Sequence, residues 1–336
     1  MKCKRHRFPS DVYRHLKAYR PDNWHAAAAI CEDYAVIALG VAAPYLLTPF
    51  VPWWISYIFV SLPLIGCRQR ALATLLHESA HRTLARHATW NYLAGSFFSG
   101  YLVFQSWYAY YQSHVVDHHA GFNDPERDPD LKYLMAQGVY STQTRLTFVL
   151  RYLVGPLFLL KTPGKLIDLI RYRFVSRQEP MWERVAKLLY ITSLAGALVV
   201  SGLGSALVCF WLVPYLTVFP IVNWYIELSE HYPLMGNATS DLYMSRNRWT
   251  GRLSKFFLGI HNENYHLIHH LAPSVPFWRM PDAHRVMLAD GEYRSVQTRE
   301  LGLILPLLPG IPSLVCALSR GLGHAVEASV AQGGRQ

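Results

Sequence analysis

Charge is scarce in this sequence. Asp, Glu, Lys and Arg together make up 16% of 336 residues, against about 25% in a typical soluble domain. A coiled coil and an intrinsically disordered chain both need more, and an ordinary cytosolic enzyme fits poorly. Cysteine is sparse as well. Cys3, Cys31, Cys67, Cys209 and Cys316 are odd in number and scattered, with no CxxC among them. A disulfide framework, a zinc ribbon and an iron–sulfur cluster therefore find no support. The first 24 residues hold seven Lys/Arg and no apolar run. No secretory signal is expected there, since one needs about 7–15 apolar residues in a row. No low-complexity tract and no strand-rich region stands out.

Apolar residues, by contrast, reach 51%, and aromatics 14% with 21 Tyr and 10 Trp. Mean hydropathy is +0.10. Such a composition suits long membrane interfaces. Net charge is +10, and its placement decides what it means. No Lys or Arg occurs between Arg20 and Arg68, between Lys187 and Arg246, or between Arg299 and Arg320. The cations flank apolar blocks, which is the positive-inside pattern of a membrane protein and not a nucleic-acid groove.

The first apolar block, about 34–66, is too long for one span of about 20 residues. Thr48-Pro49 and Val51-Pro52 break it in the middle. The second, about 188–226, breaks at Gly202-Leu203-Gly204-Ser205. Each block reads as a helical hairpin, about four spans in all, and everything between the hairpins belongs on the basic, cytoplasmic side. The stretch 90–111 is expected to dip in and return as a re-entrant or interfacial helix. Residues 301–318 carry Pro306, Pro309 and Pro312, so a broken interfacial segment is expected there. The polar stretches 120–184 and 232–300 should form a cytoplasmic helical cap. The fold class is thus an all-α membrane protein, with a basic arm over 1–29, a catalytic domain over 30–290 and an interfacial segment and tail over 291–336.

Histidine is the anomaly, at 16 residues. Box one is His77-Glu78-Ser79-Ala80-His81, whose two histidines share a helix face at i and i+4. Box two is His114-Val115-Val116-Asp117-His118-His119. There His114 and His118 again share a face, and His119 sits about 100° round, suited to a neighbouring metal. Box three is His266-Leu267-Ile268-His269-His270. One HxxxH arises readily by chance, but three such boxes at the ends of apolar blocks do not. Eight imidazoles exceed the four to six positions of one ion and fit two. Imidazole suits iron, zinc, copper and nickel alike.

The order HxxxH, HxxxHH, HxxHH, interleaved with two membrane hairpins, resembles the integral-membrane fatty acid desaturase superfamily. The resemblance covers roughly residues 30–290. It is carried further by HHAGFNDPERDPD (118–130), SEHYP (229–233) and NENYHLIHHLAPSVPFWRMPDAH (262–284). It implies two iron ions held by His77, His81, His114, His118, His119, His231, His266, His269 and His270, with O2 as co-substrate. His231 enters the set only through it. A fatty acyl chain is the substrate the resemblance implies first. Relatives also oxidise alkanes, carotenoids and small amino-acid-derived metabolites of the rhizobitoxine type, and a hydroxylase or ketolase would use the same site. No HPGG motif, GxGxxG or ferredoxin cysteine set occurs. Electrons are therefore expected from a separate ferredoxin, rubredoxin or cytochrome b5 with its reductase.

Around these ligands, Glu227 is a candidate to orient His231, and Asn264 and Asp117 to support their neighbours. Glu230, Asp128 and Asp130 are further carboxylates in reach. His261 is an outside candidate for a ligand, His284 reads as structural, and His6, His15, His25, His87 and His324 as surface or interface residues. A rival remains in box one: HExxH is also the zinc-protease motif, with Glu78 as general base. That reading leaves six well-spaced histidines unexplained. A haem protein needs its axial histidines on facing helices, and a metal transporter needs polar residues inside its spans, which the two apolar blocks lack.

Overall fold

The computed structural model describes residues 4–141, 143–171, 178–235, 240–249, 251–297 and 313–319. Among these residues the protein is helical, and an isolated bridge between Lys4 and Ser240 is the one β feature. In chain order the main helices are α1 (Ser10–Ala18), α2 (Trp24–Leu46), α3 (Leu62–Ala80), α4 (Ala88–Ser96), α5 (Trp107–Tyr110), α6 (Pro129–Ala136), α7 (Met181–Val200), α8 (Val218–His231), α9 (His266–Leu271), α10 (Met280–Met287) and α11 (Gly291–Val296). α5 runs directly into a π-helix over Tyr111–His119, and α3 is preceded by a π-helical turn over Tyr57–Ser61.

The chain forms two compact units: one of Met1–Arg20, Ser113–Phe158 and Tyr225–Gln336, the other of Pro21–Gln112 and Leu159–Trp224. The second unit holds the helical pairs. α2 ends at Leu46 and the chain turns through Pro49 and Pro52 before helix resumes at Trp53. α7 ends at Val200 and helix resumes at Gly204. Gly202 between them adopts φ +78°, a conformation that glycine reaches without penalty. Both breaks fall where the sequence puts them. Two stretches, Trp24–Leu46 and Gly204–His231, are long and apolar enough to cross a membrane. Phe50, Phe59 and Val200 near the hairpin turns are 82%, 71% and 89% exposed, a surface that lipid covers more readily than water.

The helices outrun the apolar blocks read from the sequence. α2 carries Glu32 and Asp33, and α3 carries Arg68. The Arg68 guanidinium is buried, with Nη1 2.9 Å from Asp33 Oδ1 and 3.0 Å from Glu32 Oε1. These charges lie just outside the apolar block 34–66, and pairing neutralises what a lone helix could not bury. The stretch 90–111 is not one helix. It breaks between α4 and α5 at a 3-10 turn and at Phe104, which has φ 61°. Of the expected interfacial segment 301–318, only 313–318 are described, mostly helix. Residues 301–312 lie outside the described residues.

The first unit is built around an apolar cluster. Val12 and Leu16 of α1, Leu267 and Ile268 of α9, Met280, Ala283 and Met287 of α10, and Tyr293 and Val296 of α11 pack together. Burying their apolar surface is what fixes α9, and with it box three.

Candidate metal centre

Four imidazoles converge in the first unit. Nε2 of His270 lies 3.3 Å from Nε2 of His118 and 3.0 Å from that of His266, and Nε2 of His266 lies 2.9 Å from that of His231. The opposite nitrogens of three of these rings face acceptors. Nδ1 of His118 is 2.8 Å from Asp128 Oδ1. Nδ1 of His231 is 3.2 Å from the Met244 carbonyl, and Nδ1 of His266 is 3.5 Å from Glu230 Oε2. A ring that donates through Nδ1 presents a bare lone pair at Nε2. Lone pairs facing one another at such distances repel unless a proton or a metal ion lies between them. Two imidazoles at right angles on an ion, each at about 2.0–2.1 Å, have nitrogens about 3 Å apart. The observed spacings match, so the donor set fits a metal ion.

A second set lies in the same unit. Nε2 of His119 is 3.2 Å from that of His114 and 2.9 Å from that of His269. This partition differs from the spacing argument, which paired His114 with His118. The cause is the π-helix over Tyr111–His119. Its i→i+5 winding brings His114 and His119 together and turns His118 to the other set. Such turns recur at functional sites.

The surroundings orient the rings. Asp128 is fully buried and caps α6 by accepting from the N–H groups of Asp130 and Leu131, while its Oδ2 accepts from Asn123 at 3.0 Å. Burial opposes charge on both members of the His118–Asp128 pair, yet their mutual attraction wins. The Asp128 carboxyl is held below its usual value, and Asp128, with Asp130 beside it, makes the His118 ring more basic, which strengthens Nε2 as a donor. Glu230 Oε1 is 3.0 Å from Nη2 of the buried Arg248, which also lies 3.9 Å from Glu263. Asn264 holds the loop that carries Arg248: its Nδ2 donates to the Arg248 carbonyl at 3.3 Å, and its own carbonyl accepts from Arg248 N at 2.7 Å. Phe122 stacks on His270 at 4.3 Å and meets His118 edge-on at 5.1 Å.

Box one belongs to the second unit. His77 and His81 close α3, with ring centroids 4.9 Å apart. Glu78 is buried beside them; its Oε1 lies 3.1 Å from Nδ1 of His77, and its Oε2 accepts from the Thr83 hydroxyl at 2.8 Å.

Among the carboxylates and amides weighed from the sequence, the ring of His231 meets the Met244 carbonyl and His266 rather than Glu227. Asp117 sits half-buried on the π-helix, while Asp128 serves His118. His261 lies against Phe277 at 5.3 Å with φ 55°. His284 bonds the Tyr293 hydroxyl at 2.9 Å, as a structural residue would. His6 faces Asp290 and Glu292, and His25 pairs with Asp22. His324 lies outside the described residues. Sequence reasoning missed Phe122 and Arg248. The signal for Arg248 was present: Arg246 and Arg248 are the first cations after a long stretch without any, and both are buried.

Comparison with known proteins agrees with this chemistry. The fatty acid desaturase family matches residues 52–301. Dihydrorhizobitoxine desaturase of Bradyrhizobium elkanii is 38% identical, over 96% of this chain and 92% of that protein. Neither match favours the zinc-protease reading of box one or a hydroxylase. An enzyme that desaturates, with histidine boxes and an all-helical frame, is what the matches and the fold describe together: the chain belongs to the fatty acid desaturase family.

Proposed function

We propose that this enzyme introduces a double bond into a small amino-acid-derived chain of the dihydrorhizobitoxine type, using O2 and two iron ions. The observation that carries the redox chemistry is the pair of convergent Nε2 sets. What supports the substrate class is the likeness to a relative named for it, which extends over nearly the whole of both chains.

In this reading His118, His231, His266 and His270 hold one ion. His114, His119 and His269 hold the other, joined by His77 and His81 on the strength of their i, i+4 spacing and the family pattern. When bound, the two ions supply O2 activation. The protein's own groups do the rest. Asp128, Glu230 and the Met244 carbonyl keep the Nδ1 protons in place, so that each Nε2 is presented as a donor. Phe122 covers one side of the rings and keeps water from it. Two C–H hydrogens leave as the alkene forms. O2 takes four electrons and four protons to become two waters, two of each from the substrate and two of each from a separate electron-transfer protein and solvent.

The same reading takes the two hairpins as four membrane spans and puts the histidines and the N-terminus on the cytoplasmic side, where the cations cluster. Incubating membranes that contain the enzyme with dihydrorhizobitoxine, O2 and a reduced ferredoxin system tests it. A product lacking two hydrogens, absent without O2, is expected. Unchanged dihydrorhizobitoxine beside desaturated acyl lipid would overturn the substrate class, and a product with one added oxygen would overturn the reaction.

A further inference from the structure

Glu183 stands in the first turn of α7, fully buried. Its Oε1 accepts from the backbone N–H of Trp107 at 2.8 Å and its Oε2 from that of Tyr108 at 3.0 Å. The Tyr92 hydroxyl adds a third bond at 3.1 Å. Trp107 opens the helix that continues to His114, His118 and His119. The first N–H groups of a helix have no partner within it, and negative charge is favoured there. Usually the residue just before the helix supplies the cap. Ser106 occupies that position, yet its side chain makes no capping bond. A carboxylate from a helix far along the chain takes the role instead.

The same tryptophan is tied to box one. Its indole Nε1 donates to Ser79 Oγ at 3.0 Å, and Ser79 lies between His77 and His81. Ser79 is itself locked: its hydroxyl donates to the Asn91 carbonyl at 2.7 Å, and Asn91 Nδ2 donates to the Ser79 carbonyl at 2.8 Å. A Cβ at Gly95 would overlap the Ser79 side chain, so this crossing needs glycine. Trp107 is thus a common fixed point for the helix of box one and the start of the helix of box two.

We propose that Glu183 and Trp107 are positioning residues that fix the start of the box-two helix, and so decide whether the ion of His114, His119 and His269 is held. The inference rests on the ligand assignment proposed above. Glu183 belongs to neither histidine set; it acts through the helix. The other ion depends on it less, because His118 has its own anchor in Asp128 and its three partners lie outside this helix.

Cobalt(II) is a suitable probe. Purified wild type, Glu183→Gln, Trp107→Phe and Ser79→Ala would be stripped of metal in detergent and titrated with cobalt(II). Metal per chain, the visible ligand-field bands and helicity by circular dichroism would be read. Wild type should bind two. A wild-type value other than two would sink the ligand assignment itself, whatever the variants do. Given two, each helical variant should fall toward one per chain while the bands of the remaining ion persist. Trp107→Phe with Ser79→Ala together should be less than additive, because both remove the bond they share. Two cobalt ions and wild-type bands in the helical variants overturn the proposal, since a purely structural role lowers thermal stability and leaves count and bands alone. If Glu183→Gln loses its helicity, Trp107→Phe decides, because the phenyl ring keeps the stacking on Tyr111.

Discussion

Asp128 Oδ1 stands 2.8 Å from Nδ1 of His118, and neither side chain is exposed. The aspartate does two jobs, since it also caps α6. The substitution Asp128→Asn keeps an acceptor and removes the charge; Asp128→Ala removes both and the cap. Metal affinity should fall about 10–100-fold in either. The alanine variant should lose about 1 kcal/mol of stability besides. A chelator-competition titration and a melting curve in detergent measure the two effects separately. Wild-type affinity in both variants would show that the carboxylate does not orient His118.

Arg248 neutralises Glu230 from 3.0 Å. Replacing it by methionine leaves a buried carboxylate without its cation, which should cost about 3–5 kcal/mol. Adding Glu230→Gln should recover much of that loss, because the stranded charge is gone. A double variant as unstable as Arg248→Met would refute the pairing as the cause.

Glu78 separates the two meanings of box one. Its carboxylate is turned to Nδ1 of His77 and to the Thr83 hydroxyl. Glu78→Gln keeps a carbonyl in reach of His77, so desaturation should persist with metal affinity about tenfold weaker. Complete loss of turnover with both metals still bound would restore a proton-transfer role for this residue.

Helix periodicity and turn chemistry make much of the frame legible in the sequence. The prolines at 49 and 52 and the glycines at 202 and 204 mark the two hairpin turns, and the three boxes announce themselves by spacing. What spacing does not reveal is how the imidazoles divide. His114 goes with His119 because the helix is wound as a π-helix there, and nothing local in YQSHVVDHH announces that winding. Nor does spacing find the partners. Asp128 reaches His118 through the turn that follows the helix, Arg248 reaches Glu230 across a polar loop, and Glu183 reaches Trp107 from another helix. Such pairings depend on the path of the whole chain, so a nearer carboxylate such as Asp117 or Glu227 stands out instead.

Burial pushes the His284 imidazole below its ordinary value, where it meets the Tyr293 hydroxyl at 2.9 Å. The folded protein thus holds it neutral, while the unfolded chain takes up the proton more readily. Stability from this residue is full above about pH 6.5 and declines as pH falls below it. In His284→Asn the drop in melting temperature between about pH 7 and pH 5.5 should be smaller than in wild type. An identical drop would place the acid sensitivity elsewhere.

The salt bridge of Arg68 with Asp33 and Glu32 has a consequence for biogenesis. On the proposed four-span reading, an arginine carried in on an isolated helix opposes insertion, by about 2.5–3.5 kcal/mol at most, the value at a helix centre. A chain stopped after Leu46 would carry two acids into lipid with no cation to meet them, and should be extractable with alkali; one continued through Ala80 should not. On that reading, the first hairpin is expected to enter the bilayer as a pair and not one helix at a time. Its opening helix would then leave the translocon together with the helix that carries the arginine.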